Sequence, residues 1–329
     1  MTAVANPQRR GRAAPKRADL VLSGGGVKGI GLVGAVVALM DAGYRVRRVS
    51  GTSAGSIIGA VVAAASRSEH TTGAQVKDLA VGPDYAKFLD AVGVESVPIV
   101  GAVWAAMRGT GIYRGDYAHQ WIRAQLRDLG VITFGDLAVD DADLPPERRY
   151  KLVVTAADLT TNQLVRLPWD YRRIYGLDPD EQPVADAVRA SMSIPFLFRP
   201  VTLTSTAGVE STLVDGGLLS NFPIDSLNRI DRKKPRWLTF GVTVVPSAPH
   251  LNKRVIAALQ AADIGAAPLL LNVVTTTLFG HDQAYLNQPW VGRRAIRVNT
   301  GDVGFLDFDI SQKTSRPSTP KAMPRDKSF

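Results

Sequence analysis

Apolar residues fall in short blocks along this chain, and glycines, prolines and polar clusters separate the blocks. Asp19 to Ser23, with Val21 and Leu22 apolar, reads as a first strand that runs into Gly24-Gly25-Gly26-Val27-Lys28-Gly29. From about Ile30 to Ala42 the chain is apolar nearly all round, which predicts a buried helix, and Gly43 suits its C-cap. Arg45 to Val49 alternates as a strand does, a turn follows, and Ala54 to about Ser66 predicts a second buried helix. The chain therefore starts β-α-β-α, which implies a parallel sheet covered by helices.

Beyond this the pattern loosens. Residues 67 to 130 are less regular, with Pro83-Asp84 and Gly109-Thr110-Gly111 as punctuation. Between them lies an apolar segment, Pro98 to Met107, bounded by Arg108; its stretch Ile99 to Met107 reads equally well as core or as a lid. Asp116 to Leu129 is amphipathic and predicts a helix. Asp140 to Arg149 is a polar loop, and Tyr150 to Ala156 a strand with Asp158 just beyond it. Val184 to Ser191 predicts a short helix that stops before Pro195. Ser211 to Val214 is a strand ending in Asp215-Gly216-Gly217, and Trp237 to Val245 a buried one. Lys253 to Leu278 is mostly helical, with a break near Pro268, and Ala295 to Asn299 is a last strand. No internal repeat or linker divides residues 18 to 310.

Composition narrows the chemistry. With 329 residues and 45% hydrophobic content the chain can bury a sizeable core. It has no cysteine, so disulfides, thiolate catalysis and cysteine-bound zinc are excluded, which fits a reducing cytosol. The apolar runs at Ile30 to Met40 and Ile57 to Ala65 fall short of the ~18–20 residues of a membrane span. Arg9-Arg10 is followed by more charge and a strand, so no secretory signal is expected. The expected location is cytoplasmic, with room for peripheral membrane contact.

The net charge of +9 belongs to the ends. Residues 1–17 hold Arg9, Arg10, Arg12, Lys16 and Arg17 and no acid. Residues 311–329 hold Lys313, Arg316, Lys321, Arg325 and Lys327 against Asp326 alone. These two tails account for the whole excess and leave a neutral body, so no nucleic-acid partner is expected. Both tails read as disordered and solubilising, with weak attraction to anionic lipid as their sharper role.

Three glycine-rich turns carry the candidate chemistry. Gly51-Thr52-Ser53-Ala54-Gly55 is a G-x-S-x-G nucleophile elbow between a strand and a helix. The turn projects Ser53, side chains at 51 or 55 would crowd it, and the helix N-terminus favours a developing oxyanion. Gly24, Gly26 and Gly29 spell G-x-G-x-x-G, the dinucleotide fingerprint, which keeps a nucleotide-binding module among the readings. Against it, the second strand ends in Val49-Ser50-Gly51, with no acid to hold a ribose. The same glycines can instead expose backbone N–H groups to an oxyanion. Asp215 ends a strand before a flexible turn, and a serine nucleophile needs a base. The histidines are His70, His119, His250 and His281. Ser53, Asp215 and His281 follow the α/β-hydrolase order, so a Ser-His-Asp esterase or thioesterase on smaller acyl groups stays open.

The three motifs together resemble the patatin-like phospholipases. That family joins a Gly-Gly-Gly-x-Lys/Arg-Gly loop, a Gly-x-Ser-x-Gly elbow and a distant Asp-Gly-Gly/Ala, and Gly24 to Gly29, Gly51 to Gly55 and Asp215 to Gly217 match in order and spacing. Ala190-Ser191-Met192-Ser193-Ile194-Pro195-Phe196 and Thr133-Phe134-Gly135-Asp136-Leu137 extend the likeness. The resemblance implies a three-layer α/β/α fold with a mostly parallel sheet over residues 18–310, between basic tails 1–17 and 311–329. It implies a Ser-Asp dyad: Ser53 as nucleophile, Asp215 as proton acceptor, and Gly24, Gly25 and Gly26 as the oxyanion hole. Lys28, Gly29, Gly51, Gly55, Gly216 and Gly217 complete the motifs. The implied substrate is a phospholipid or other lipid ester, with no cofactor and no metal. An inactive lipid-binding regulator is the remaining alternative, and intact Ser53 and Asp215 disfavour it.

Overall fold

The computed structural model describes residues 16–68, 70–81, 85–90, 111, 113–231, 233–244, 273–278, 280 and 286–300. His250, His281, the segment Ile99 to Met107 and the tails apart from Lys16 and Arg17 lie outside them. The first strand, β1 (Lys16–Leu22), begins at Lys16 rather than Asp19, because its first two residues are exposed and carry no apolar signal. A tight turn at Gly26–Gly29 leads into helix α1 (Ile30–Asp41), and β2 (Tyr44–Thr52) follows. Helix α2 (Ala54–Ala65) starts directly after Ser53. Then come α3 (Gly73–Val81), α4 (Asp116–Asp128), β3 (Leu152–Asp158) and β4 (Gln163–Leu167). The chain continues through α5 (Val184–Ser191), β5 (Val201–Thr204), β6 (Glu210–Asp215), β7 (Leu238–Val244) and β8 (Ala295–Val298).

The eight strands form one sheet in the order β5-β6-β3-β2-β1-β7-β8, with β4 paired to β3. The run β3-β2-β1-β7-β8 is parallel throughout, and β4, β5 and β6 join antiparallel, so the sheet is mostly parallel as expected. Both faces are covered. Helix α2 lies against one face, where Gly59 comes close to Val49, Leu152 and Leu22. Leu22 is in register with Val242, so the adjacent Gly241 points to the other face, and Phe222 and Ile224 cover it there. On that second face a buried ion pair joins Arg48 to Asp19, and the same guanidinium bonds the Leu227 carbonyl.

The register along β3 decides where the functional residues meet. Strand β4 occupies one edge of β3 over Val154 to Asp158. Strands β2 and β6 must therefore share the other edge: β2 pairs with Leu152 to Thr155 and runs parallel, while β6 pairs with Ala156 to Asp158 and runs antiparallel. The two strands thus approach head-on. β2 ends with Thr52 opposite Thr155, and β6 ends with Asp215 opposite the very next residue, Ala156. Ser53 and Asp215, 162 positions apart in sequence, are brought together where their strands pair with β3.

Candidate active site

Ser53 sits at the junction of β2 and α2 with φ 52° and ψ −123°, a left-handed conformation that a residue with a side chain rarely adopts. The sharp turn holds because its flanking glycines leave room for it. A Cβ on Gly51 would lie 2.3 Å from the Gly55 carbonyl oxygen, and one on Gly55 would lie 2.4 Å from that of Leu22. Ser53 itself is buried, and its backbone N–H donates to Ser191 Oγ at 2.9 Å. Next to the elbow, Thr52 and Thr155 join hydroxyls at 2.7 Å across the two parallel strands.

Asp215 is completely buried. Its Oδ1 accepts the Gly217 N–H at 2.8 Å, whereas Oδ2 has no partner in good hydrogen-bond geometry. Burial pushes its pKa up from 3.8 to about 7, while the Ser53 hydroxyl and the Gly217 N–H act on the carboxylate and hold it down. A carboxylate that ionises near neutrality beside a serine hydroxyl is matched to proton transfer there. Gly216 and Gly217 continue from it in a tight turn, both buried.

The glycine loop lies against the serine: a Cβ on Gly24 would come within 3.2 Å of Ser53 Cβ. The Gly24 N–H is already donated to the Asn221 carbonyl at 3.0 Å, and Asn221 Nδ2 bonds back to the Gly24 carbonyl. These two bonds anchor the loop beside Ser53. Among the described residues, the N–H groups of Gly25 and Gly26 meet no backbone acceptor. Lys28 is buried at the following turn, and Gly29 packs against Ala54 at the start of α2. Ser191 and Asn221 were not singled out as site residues from the sequence. Ser191 lies in the Ala190 to Phe196 stretch that resembled the family, but nothing in the sequence marked Asn221.

A cavity of about 40 Å³ opens beside Ser53, lined by Gly26 and by apolar side chains such as Val27, Ile30, Ile57, Met192 and Phe198. Val27, Ile30, Met192 and Phe198 belong to a small apolar cluster separate from the main core, and Ile57 packs against both. No described histidine bonds Ser53 or Asp215: His119 pairs with Asp186 between α4 and α5, and His70 is exposed. Among the described residues, no three His, Asp or Glu side chains converge as metal ligands would, and no helix is long and apolar enough to cross a membrane.

Residues 20–228 match the patatin-like phospholipases, a span that includes the elbow, the glycine loop and Asp215. The uncharacterised protein YqhO of Bacillus subtilis is 36% identical over 90% of this chain and 91% of its own. An uncharacterised NTE family protein of Mycobacterium tuberculosis is 29% identical over 64% of this chain. The lysophospholipase nte1 of Aspergillus niger is 26% identical over 66% of it. The matched parts make up only 28% and 11% of those two longer proteins. By the span of the family match and the identity to a relative of similar length, this chain belongs to the patatin-like phospholipase family and is a lipid hydrolase.

Proposed function

We propose that this chain is a serine acyl hydrolase of phospholipase A or lysophospholipase type, with Ser53 as nucleophile and Asp215 as its only proton acceptor. The observation that carries the reading is the fully buried Asp215 at the strand end that meets the Ser53 elbow, where burial pushes its carboxyl up to about 7. As Ser53 Oγ attacks the ester carbonyl, Asp215 takes the hydroxyl proton. The N–H groups of Gly25 and Gly26 donate to the oxygen that becomes negative. When the tetrahedral intermediate collapses, the ester C–O bond breaks and the leaving alkoxide takes the proton from Asp215. An acyl-Ser53 ester remains. Water then attacks it, Asp215 accepts a proton from that water, and the second collapse releases the fatty acid and returns the proton to Ser53.

The apolar lining beside Ser53 supports an acyl chain rather than a sugar or nucleotide as the group held there. The occupied Gly24 N–H argues against the glycine loop as a pyrophosphate cradle. The test is a hydrolysis panel of phospholipids, lysophospholipids and p-nitrophenyl esters, with Ser53→Ala as blank. Turnover of lipid esters by the wild type and none by Ser53→Ala is the expected result. Equal turnover by both would remove Ser53 from the mechanism.

A further inference from the structure

Both members of the proposed dyad are tied to the same short piece of chain. Helix α5 ends at Ser191, and the next residues are Met192 and Ser193. Ser191 Oγ accepts the Ser53 N–H at 2.9 Å. Two residues later, the Ser193 carbonyl accepts the Asp215 N–H, also at 2.9 Å. Met192 between them, and Ile194 just after, wall the cavity beside Ser53.

This piece is itself locked. Arg189 is buried, and its Nη1 donates to Ser193 Oγ at 2.5 Å, while that hydroxyl donates back to the Arg189 carbonyl at 2.9 Å. Arg189 Nη2 reaches the carbonyls of Arg114 and Arg199. A Cβ on Gly115 would meet this guanidinium at 2.7 Å, so the chain before α4 closes tightly around it. No carboxylate lies within ion-pair distance of Arg189 among the described residues. Its cation is spent on orienting carbonyls and one hydroxyl, the pattern of a fixed strut rather than of a surface charge.

We infer that Ser191-Met192-Ser193 is the positioning clamp of this active site, in which Ser191 holds the strained Ser53 backbone and Arg189, through Ser193, holds Asp215. The inference rests on the Ser53–Asp215 reading above. Ser53 keeps a left-handed backbone only if its surroundings over-determine it, and Ser191 Oγ is the one side chain bonded to its N–H. A slack clamp would let the nucleophile and the base drift apart, and small misplacements of reacting groups cost rate steeply.

The experiment measures kcat and KM on a soluble p-nitrophenyl ester, per active site titrated with a fluorophosphonate. Normalising to titrated sites separates misplaced chemistry from loss of folded enzyme. Ser191→Ala and Ser191→Cys should each lower kcat per titrated site by about tenfold or more with little change in KM. The cysteine keeps the size of the side chain and replaces its oxygen with a weak acceptor, so it decides the matter even where the alanine variant folds poorly. Arg189→Lys should loosen Ser193, admit water to Asp215 and move the acid limb of kcat/KM to lower pH. A Ser191→Cys enzyme within about twofold of wild type, or an unmoved acid limb in Arg189→Lys, overturns the clamp. Ser53→Ala runs alongside: turnover or titration there sinks the dyad itself, whereas a dead Ser53→Ala with a normal Ser191→Cys sinks only the clamp.

Discussion

At the scale of single residues, the proposed base Asp215 is also a group whose burial costs the fold stability. Its raised pKa means that the folded state holds a proton between pH 4 and 7 that the unfolded chain has already released. Stability from this group is therefore present at low pH and lost as pH rises through about 7. The rise from 3.8 to about 7 corresponds to about 4 kcal/mol at alkaline pH. Asp215→Asn should thus melt higher than wild type at pH 8, with the gap narrowing as pH falls below 7 and closing only near pH 4, while kcat falls by about a thousandfold or more. A melting curve at each pH and a rate at one check both halves. His281→Ala should leave kcat within about threefold of wild type, because no proton transfer is assigned to it; a loss as large as that of Asp215→Asn would make this a triad enzyme. The turns that hold Ser53 and Asp215 were legible in the sequence, since each carries recognisable glycines. The occupied N–H of Gly24 was not, because a backbone bond to Asn221 depends on tertiary approach and leaves no local pattern.

At the scale of elements, the site is a product of strand ends. The β2 and β6 termini meet on one edge of β3, and the elbow and the Asp-Gly-Gly turn follow from where pairing stops. Gly55 is packed against backbone on the β1 side of this arrangement. Its missing Cβ would face the backbone carbonyls of Leu22 and Ser23 at 2.4 and 2.5 Å, and backbone cannot step aside as a side chain can. Gly55→Ala should therefore cost about 3 kcal/mol or more and lower kcat even at temperatures where the protein stays folded, which denaturant melts and steady-state rates would show. Elements with strong periodicity or buried runs were legible: α1, α2, α4 and α5, and the cores of β1, β2, β3, β6, β7 and β8. The missed elements had physical reasons to hide. β5 alternates between half-buried and exposed residues, and β4 has Gln163 and Arg166 among its apolar positions, so neither shows a run. Helix α3 is short and only weakly amphipathic, and the region was read as irregular.

At the scale of the whole molecule, the two faces and two ends of the sheet divide the work. The C-terminal ends of β1 and β2 carry the glycine loop and the elbow, whereas the Arg48–Asp19 pair lies farther back on those same strands. Both side chains are almost inaccessible, at 9% and 3% exposure, so removing one strands the other charge. Burial pushes the Asp19 pKa up and the Arg48 guanidinium pulls it down, with burial the stronger. Asp19→Ala should destabilise by about 3–5 kcal/mol and leave kcat per titrated site near wild type. A large loss of kcat without a loss of stability would show that this pair reaches the site. We propose that Asp215 activates Ser53 without a histidine. This activation is tested most directly by the pH dependence of fluorophosphonate labelling, with the modified residue identified by mass spectrometry. A Ser53–Asp215 dyad should give an adduct on Ser53 whose rate of formation rises with pH through an apparent pKa near 7, a rise that Asp215→Asn abolishes. Labelling elsewhere, or the same pH profile in Asp215→Asn, would contradict it.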